Sequence, residues 1–296
     1  MENIIEIDEL NFEFDKNKPI LKNVNIKVPK GSIYGFLGAN GAGKSTTMRL
    51  LMGLLNDDQN AVKVFGKPIS EVYPQALQKI GSLIDYPAFY DHLSGFDNLK
   101  IICIIRDLNV SKIDEVLEKV NLTHAKNIKM KKYSLGMKQR LAIALALISD
   151  PELLILDEPV NGLDPGGMAE IRELLKKINR ENGVTIFISS HLLQEIEKMV
   201  THLGIISHGE MKFEGSTEHL NELYRFQRTK FGLENAEKYI ELIPHAELLN
   251  ENELSVQTSS PRVIAQINKK LVENGAEIYQ ISAAGALEDW FMEITK

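Results

Sequence analysis

The sequence predicts an α/β protein. A mostly parallel sheet is flanked by an antiparallel β subdomain, interrupted by a helical subdomain and followed by a small C-terminal α+β appendage. Three observations predict it. A glycine-rich loop, Gly38-Ala-Asn-Gly-Ala-Gly-Lys-Ser45, stands between an apolar run and a helical pattern. Short all-apolar runs such as Leu153-Leu-Ile-Leu156 alternate with helical patterns, as central parallel strands covered on both faces do. Strand patterns vanish from about residue 87 to 150, and the alternation weakens beyond about residue 220.

The elements follow in order. Residues 4–7, 24–28 and 32–37 read as strands, with Pro29-Lys-Gly31 turning between the last two. After the loop, Met48, Leu51, Met52 and Leu55 recur at i, i+3, i+4 and i+7, one face of a helix. Strands are expected at 61–65 and 80–84. Helices are expected at 97–108, 112–120 and 136–149, the last closed by Asp150-Pro151. Then come strand 153–156, helix 168–179, strand 184–188, helix 192–199 and strand 203–206. The appendage holds pieces at 253–256, 261–274 and 277–281. Leu287, Trp290, Phe291 and Ile294 have the spacing of a closing amphipathic helix. The expected domains are residues 1–226, with the helical subdomain at about 87–150, and residues 227–296.

Bulk properties narrow the function. Of 296 residues, 44% are hydrophobic and 25% charged, ordinary for a globular protein. The longest apolar run, Leu141 to Ile148, is far below the about 18 residues a membrane span needs. Met-Glu-Asn-Ile-Ile-Glu lacks the basic and apolar regions of a signal peptide. Cys103 is the only cysteine, so neither an internal disulfide nor a cysteine-cluster metal site is open to the chain, and its apolar surroundings suggest an inert thiol. A net charge of −7 argues against nucleic acid as partner. A cytoplasmic location is expected.

The loop matches the phosphate-binding pattern G-x-x-x-x-G-K-[ST] in its proper strand–loop–helix context. Glycines let backbone N–H groups turn toward phosphates, and the helix N-terminus adds its dipole. Gly38, Asn40, Gly41, Ala42, Gly43, Lys44, Ser45 and Thr46 are the candidate cradle. Lys44 would reach the β- and γ-phosphates and Ser45 would bind Mg²⁺. Asp157 and Glu158 follow a buried strand, at the end where parallel sheets bind ligands. Asp157 suits the metal and Glu158 a general base. His191 lies beyond the next strand, placed to orient Glu158 or contact the γ-phosphate. Ser134 opens a long helix and is either an N-cap or part of an anion site.

With these motifs in this order, residues 2–215 resemble the ATPase subunits of ABC transporters. Tyr133-Ser-Leu-Gly-Met137 stands at the signature, Asn161-Gly-Leu-Asp164 follows the acidic pair, and His191 comes last. The resemblance implies Mg·ATP hydrolysis by an ATP-dependent homodimer. Ser134 and Gly136 would cover the γ-phosphate held by the other subunit, and Asp164 would cross the interface. Phe14 stands where the family stacks an aromatic on adenine. A separate integral-membrane permease is the implied partner. Two departures stand out. Leu135 and Met137 replace a glycine and the glutamine of the usual Leu-Ser-Gly-Gly-Gln. Asp85 replaces a glutamine that links metal and water to the permease, and would add a carboxylate near the metal. An acid there resembles the branch that exports bacitracin or protects against lantibiotics, so export of a peptide antibiotic or other amphiphile is expected. A mechanical role in translation or DNA maintenance usually involves two cassettes or a long coiled-coil insertion, absent here. A phosphate-loop kinase would lack the signature serine and the histidine strand, and the intact Glu158 argues against a non-catalytic binding module.

Overall fold

In a computed structural model the chain is described at residues 2–16, 18–84, 88–224, 229–257, 260–283, 291 and 294. Its contacts divide it between Gly215 and Ser216. The expected division at 226/227 falls outside the described residues.

In the first unit, β1 (Asn3–Glu13) and β2 (Pro19–Pro29) form an antiparallel hairpin with Ile7 opposite Ile26 and Leu10 opposite Val24. Both strands are longer than the alternation predicts. The register shifts between Ile7 and Leu10, where Glu9 takes a φ of 51°. The irregularity returns Leu10 to the buried face and hides the strand from a period-two reading. β3 (Ile33–Leu37) is buried throughout and leads through the glycine-rich loop into α1 (Lys44–Leu51). β4 (Val62–Val64) and β5 (Lys67–Pro68) complete a four-stranded sheet in the order β2-β1-β4-β5. The short α2 (Ile69–Val72) follows.

β6 (Ile80–Leu83) enters a second sheet. Three helices then form the helical subdomain: α3 (Gly95–Ile105), α4 (Lys112–Lys119) and α5 (Leu135–Leu147). Tyr133 is buried and donates its hydroxyl to the Ala125 carbonyl at 2.8 Å, tying the loop before α5 to the turn after α4. Cys103 is buried on α3, and burial pushes its thiol pKa up. The chain returns as β7 (Leu153–Leu156), α6 (Pro165–Asn182), β8 (Thr185–Ser190), α7 (Leu193–Glu197), β9 (His202–Ser207) and β10 (Glu210–Ser216). The six-stranded order is β10-β9-β3-β8-β7-β6, and the pairs β3–β8, β3–β9, β7–β8 and β6–β7 are all parallel. β10 carries only part-buried or exposed residues, so its composition gives no strand signal.

The second unit holds α8 (Thr217–Tyr224), β11 (Thr229–Leu233), β12 (Ala246–Asn250), β13 (Glu253–Val256), α9 (Pro261–Glu273) and β14 (Ile278–Ala283). Its sheet runs β12-β13-β11-β14, with antiparallel neighbours. Phe231, Leu233, Leu254, Val256 and Leu271 form a separate hydrophobic core. Phe291 is buried and helical and Ile294 is helical, while Leu287 and Trp290 lie outside the described residues.

The long helix α5 lies hard against the edge strand β6. A methyl group on Gly81 would stand 2.1 Å from the Ala146 carbonyl oxygen and 2.7 Å from Leu154 Cδ2. Backbone cannot yield as a side-chain tip can, so Gly81→Ala should cost about 1–3 kcal/mol of unfolding free energy. Chemical denaturation measures this, and a loss below about 0.5 kcal/mol would mean that the helix can retreat from the strand.

Candidate active site

Three parallel strands deliver the chemistry to one edge. Leu37 pairs with Ser190 and Leu156 with Ile188. The glycine-rich loop, the acidic pair and His191 therefore leave the sheet at the same level, at the strands' C-terminal ends.

The loop's shape depends on its glycines. Gly43 is the N-cap of α1 at φ 113°, a conformation closed to side chains. A Cβ there would also meet Leu21 Cδ2 at 2.6 Å. Lys44 is buried, and its Nζ donates to the Gly38 carbonyl at 2.7 Å and the Ala39 carbonyl at 3.2 Å. The same ammonium stands 3.3 Å from Glu158 Oε1. A buried charge is tolerable when so paired. Ser45 Oγ donates to Asp157 Oδ2 at 2.8 Å. Ile20, Asn40, Gly41, Gly43, Lys44, Ser45, Thr46 and Glu158 line a cleft of about 320 Å³.

Glu158 is held at several points. Its Oε2 lies 2.8 Å from His191 Nδ1, and its N–H donates to Ser189 Oγ at 2.9 Å. Its φ is 47°, a left-handed conformation that costs a non-glycine residue about 1–2 kcal/mol. The Asn161 N–H bonds the Glu158 carbonyl at 3.0 Å and closes that turn. Ser189 Oγ also donates a short hydrogen bond to Asp157 Oδ1. Ser45 and Asp157 together offer hard oxygen donors from two elements, the set that suits Mg²⁺ bound jointly with phosphates. Among the described residues no cluster of three His, Cys, Asp or Glu side chains forms a metal cage.

Lys44, Ser45, Asp157, Glu158 and His191 are thus joined in one network. Ser134, Gly136 and Asp164 have no hydrogen bond to it. Ser134 caps α5, accepting from the Met137 N–H at 3.2 Å, and Asp164 caps α6, accepting from the Gly167 N–H at 2.9 Å. Both are exposed. Gly136 has open space around it, the nearest atom to a built Cβ being Leu163 Cδ2 at 3.9 Å. Phe14 lies just past β1, 60% exposed, with its ring edge-on to Phe12 at 5.0 Å. It is no core residue. Asp85 lies outside the described residues. Two residues of the site escaped sequence reasoning. Ile20 gives no signal. Ser189 has one, the polar pair that ends an apolar strand, but its partners are distant in sequence.

A family model described as ABC transporter matches residues 21–161. The bacitracin transport ATP-binding protein BcrA of Bacillus licheniformis is 40% identical over 302 residues, covering 99% of this chain and 98% of that protein. The lantibiotic transport ATP-binding protein SrtF of Streptococcus pyogenes is 42% identical over 228 residues, covering 76% of this chain and 97% of its own length. Among solved structures, cbiO1 of Clostridium perfringens, part of the ABC transporter complex cbiONQ, matches with a TM-score of 0.69 at 27% identity. It covers 74% of this chain and 91% of that one.

Because a side chain at position 43 would strain the loop, Gly43→Ala should weaken ATP binding by about tenfold or more, the equivalent of its backbone strain alone. Equilibrium nucleotide titration reads the loss. Native affinity would show that the loop tolerates a side chain.

Proposed function

We propose the cargo, partner and site roles below from one premise: this chain belongs to the ABC transporter ATP-binding family. It is an ATP-binding and ATP-hydrolysing subunit for transport. The cargo proposed is a peptide antibiotic or similar amphiphile, moved outward. Relatives named for bacitracin and lantibiotic transport support that reading. No helix of the described residues is long and apolar enough to cross a membrane. A separate integral-membrane permease is therefore the proposed partner, with this chain at its cytoplasmic face.

The observation that carries the mechanism is the network joining Lys44, Glu158 and His191 beside Ser45 and Asp157. Lys44 and the loop N–H groups bind and orient the phosphates of ATP. Ser45 and Asp157 would hold Mg²⁺, which when bound neutralises phosphate charge. Glu158 accepts a proton from the attacking water, and His191 at 2.8 Å fixes the direction of that carboxylate. Ser134, Gly136 and Asp164 act across an ATP-dependent homodimer. Supporting this, nothing among the described residues crowds Gly136, and Ser134 and Asp164 present exposed helix N-termini.

The second unit is proposed to be accessory. The lantibiotic relative is nearly complete in its match yet leaves about a quarter of this chain unmatched. A chain ending at residue 215 should bind ATP. Failure of that folded fragment to bind would give the second unit a part in the nucleotide site.

Isolating the membrane complex and identifying its permease tests the partner. Growth with and without bacitracin tests the cargo. For the base, Glu158→Gln should retain ATP binding, accumulate an ATP-bound dimer and lower turnover about 10²–10⁴-fold. Steady-state hydrolysis above about a tenth of the native rate would remove Glu158 from that role.

A further inference from the structure

Strand β8 ends in two buried hydroxyls, Ser189 and Ser190. They do different things. Ser190 Oγ accepts the Leu192 N–H at 3.0 Å and turns the chain beyond His191. Ser189 Oγ meets both members of the acidic pair. It accepts the Glu158 N–H at 2.9 Å and makes a short hydrogen bond with Asp157 Oδ1. An amide N–H can only donate, so the hydroxyl oxygen must accept there. Its own proton is then committed to the carboxylate. The direction of both bonds is fixed by chemistry alone.

The result is a bridge. Asp157 is gripped at both oxygens, by Ser189 from β8 and by Ser45 from α1. Glu158 is gripped at its backbone by Ser189, at Oε1 by Lys44 and at Oε2 by His191. The backbone grip matters because Glu158 sits at φ 47°, from which it would relax if released. The parallel register puts the bridge in place. With Leu156 opposite Ile188, the next residues along, Asp157 and Ser189, come side by side.

We propose that Ser189 is a positioning residue for hydrolysis, one hydroxyl that sets the angle of Asp157 and the backbone of Glu158 together. It is fully buried, with its hydroxyl committed to the Glu158 N–H and the Asp157 carboxylate, so it acts through its neighbours. The inference rests on the reading of Asp157 as metal ligand and Glu158 as base. It implies that the two roles share one anchor and weaken together.

The test uses the full chain with Ser189→Ala, Ser189→Thr and, for comparison, Ser190→Ala. ATP affinity is titrated without and with Mg²⁺, alongside turnover, KM and the midpoint of thermal unfolding. Ser189→Ala should bind metal-free ATP within about twofold of native. It should need about tenfold more Mg²⁺ to tighten that binding, and turnover should fall about tenfold with little change in KM, the scale of leaving one buried partner unpaired. Ser189→Thr, which keeps the hydroxyl, should recover both. A native Mg²⁺ titration with native turnover in Ser189→Ala would overturn the proposal. So would equal losses in Ser190→Ala, which would make the effect one of strand packing. Should Ser189→Ala not fold, Ser189→Cys, with a weak donor in place, must show the same split between metal-free and metal-dependent binding, and its absence would overturn the proposal too. If Glu158→Gln keeps its turnover, the base assignment fails on its own, while the Mg²⁺ titration still reads the hold on Asp157.

Discussion

The parallel register of β3, β8 and β7 is the constraint on which everything else depends. Parallel strands all end on the same side, and their backbone pairing fixes how far each reaches. Leu37 opposite Ser190 and Leu156 opposite Ile188 bring three loops to one line. A slip along β8 would carry Ser189 and His191 away from Asp157 and Glu158 and break both bridges. The register is protected by burial: every residue of β3, β7 and β8 is buried, and Tyr34, Phe36 and Phe187 stack between β3 and β8. Sliding one strand would unpack those rings. Apolar packing that has no contact with ligand therefore sets ångström-scale geometry among the charges.

Those charges are possible only as a network. Lys44 is 6% exposed and Glu158 20%, so neither can rely on bulk water. Each is instead surrounded by fixed partners. Lys44 has two backbone carbonyls and Glu158, and Glu158 has Lys44, His191 and an amide held by Ser189. Groups held this way do not have to reorganise when charge moves, which is the source of electrostatic stabilisation in a partly dry site. The left-handed backbone at Glu158 is tolerated because the turn is over-determined on both sides, by Ser189 at its N–H and Asn161 at its carbonyl.

Most of this was legible wherever the signal was local. The glycine-rich loop, the acidic pair after an apolar strand and the histidine after the next were each readable from a few consecutive residues, and so were the central strands. What escaped was non-local or broken in period. β1 continues through an irregularity at Glu9, and β10 buries none of its residues fully. Helix α6 begins at Pro165, earlier than its apolar spacing suggests, because Asp164 caps it and proline fits the first turn. α7 stops at Glu197, short of the expected 199. Ser189 was visible as a polar residue in an apolar strand, but its partners lie more than thirty residues away and no spacing rule reaches them.

The altered signature fits the same logic. Ser134 spends its hydroxyl oxygen on the Met137 N–H, as an N-cap does, and that bond leaves its proton free to donate. Leu135, standing where the usual sequence has glycine, is 43% exposed, so it strains no core. Among the described residues Gly136 has room for a Cβ, so their packing gives no reason for glycine there. Under the homodimer reading the reason lies in the close approach of a second subunit's nucleotide. The substitutions at 135 and 137 would then fall on side chains flanking that approach, while Ser134 and Gly136, the two positions proposed to come nearest the phosphate, are small residues. On that reading, positions that approach the phosphate and positions that flank it alternate along one helical turn.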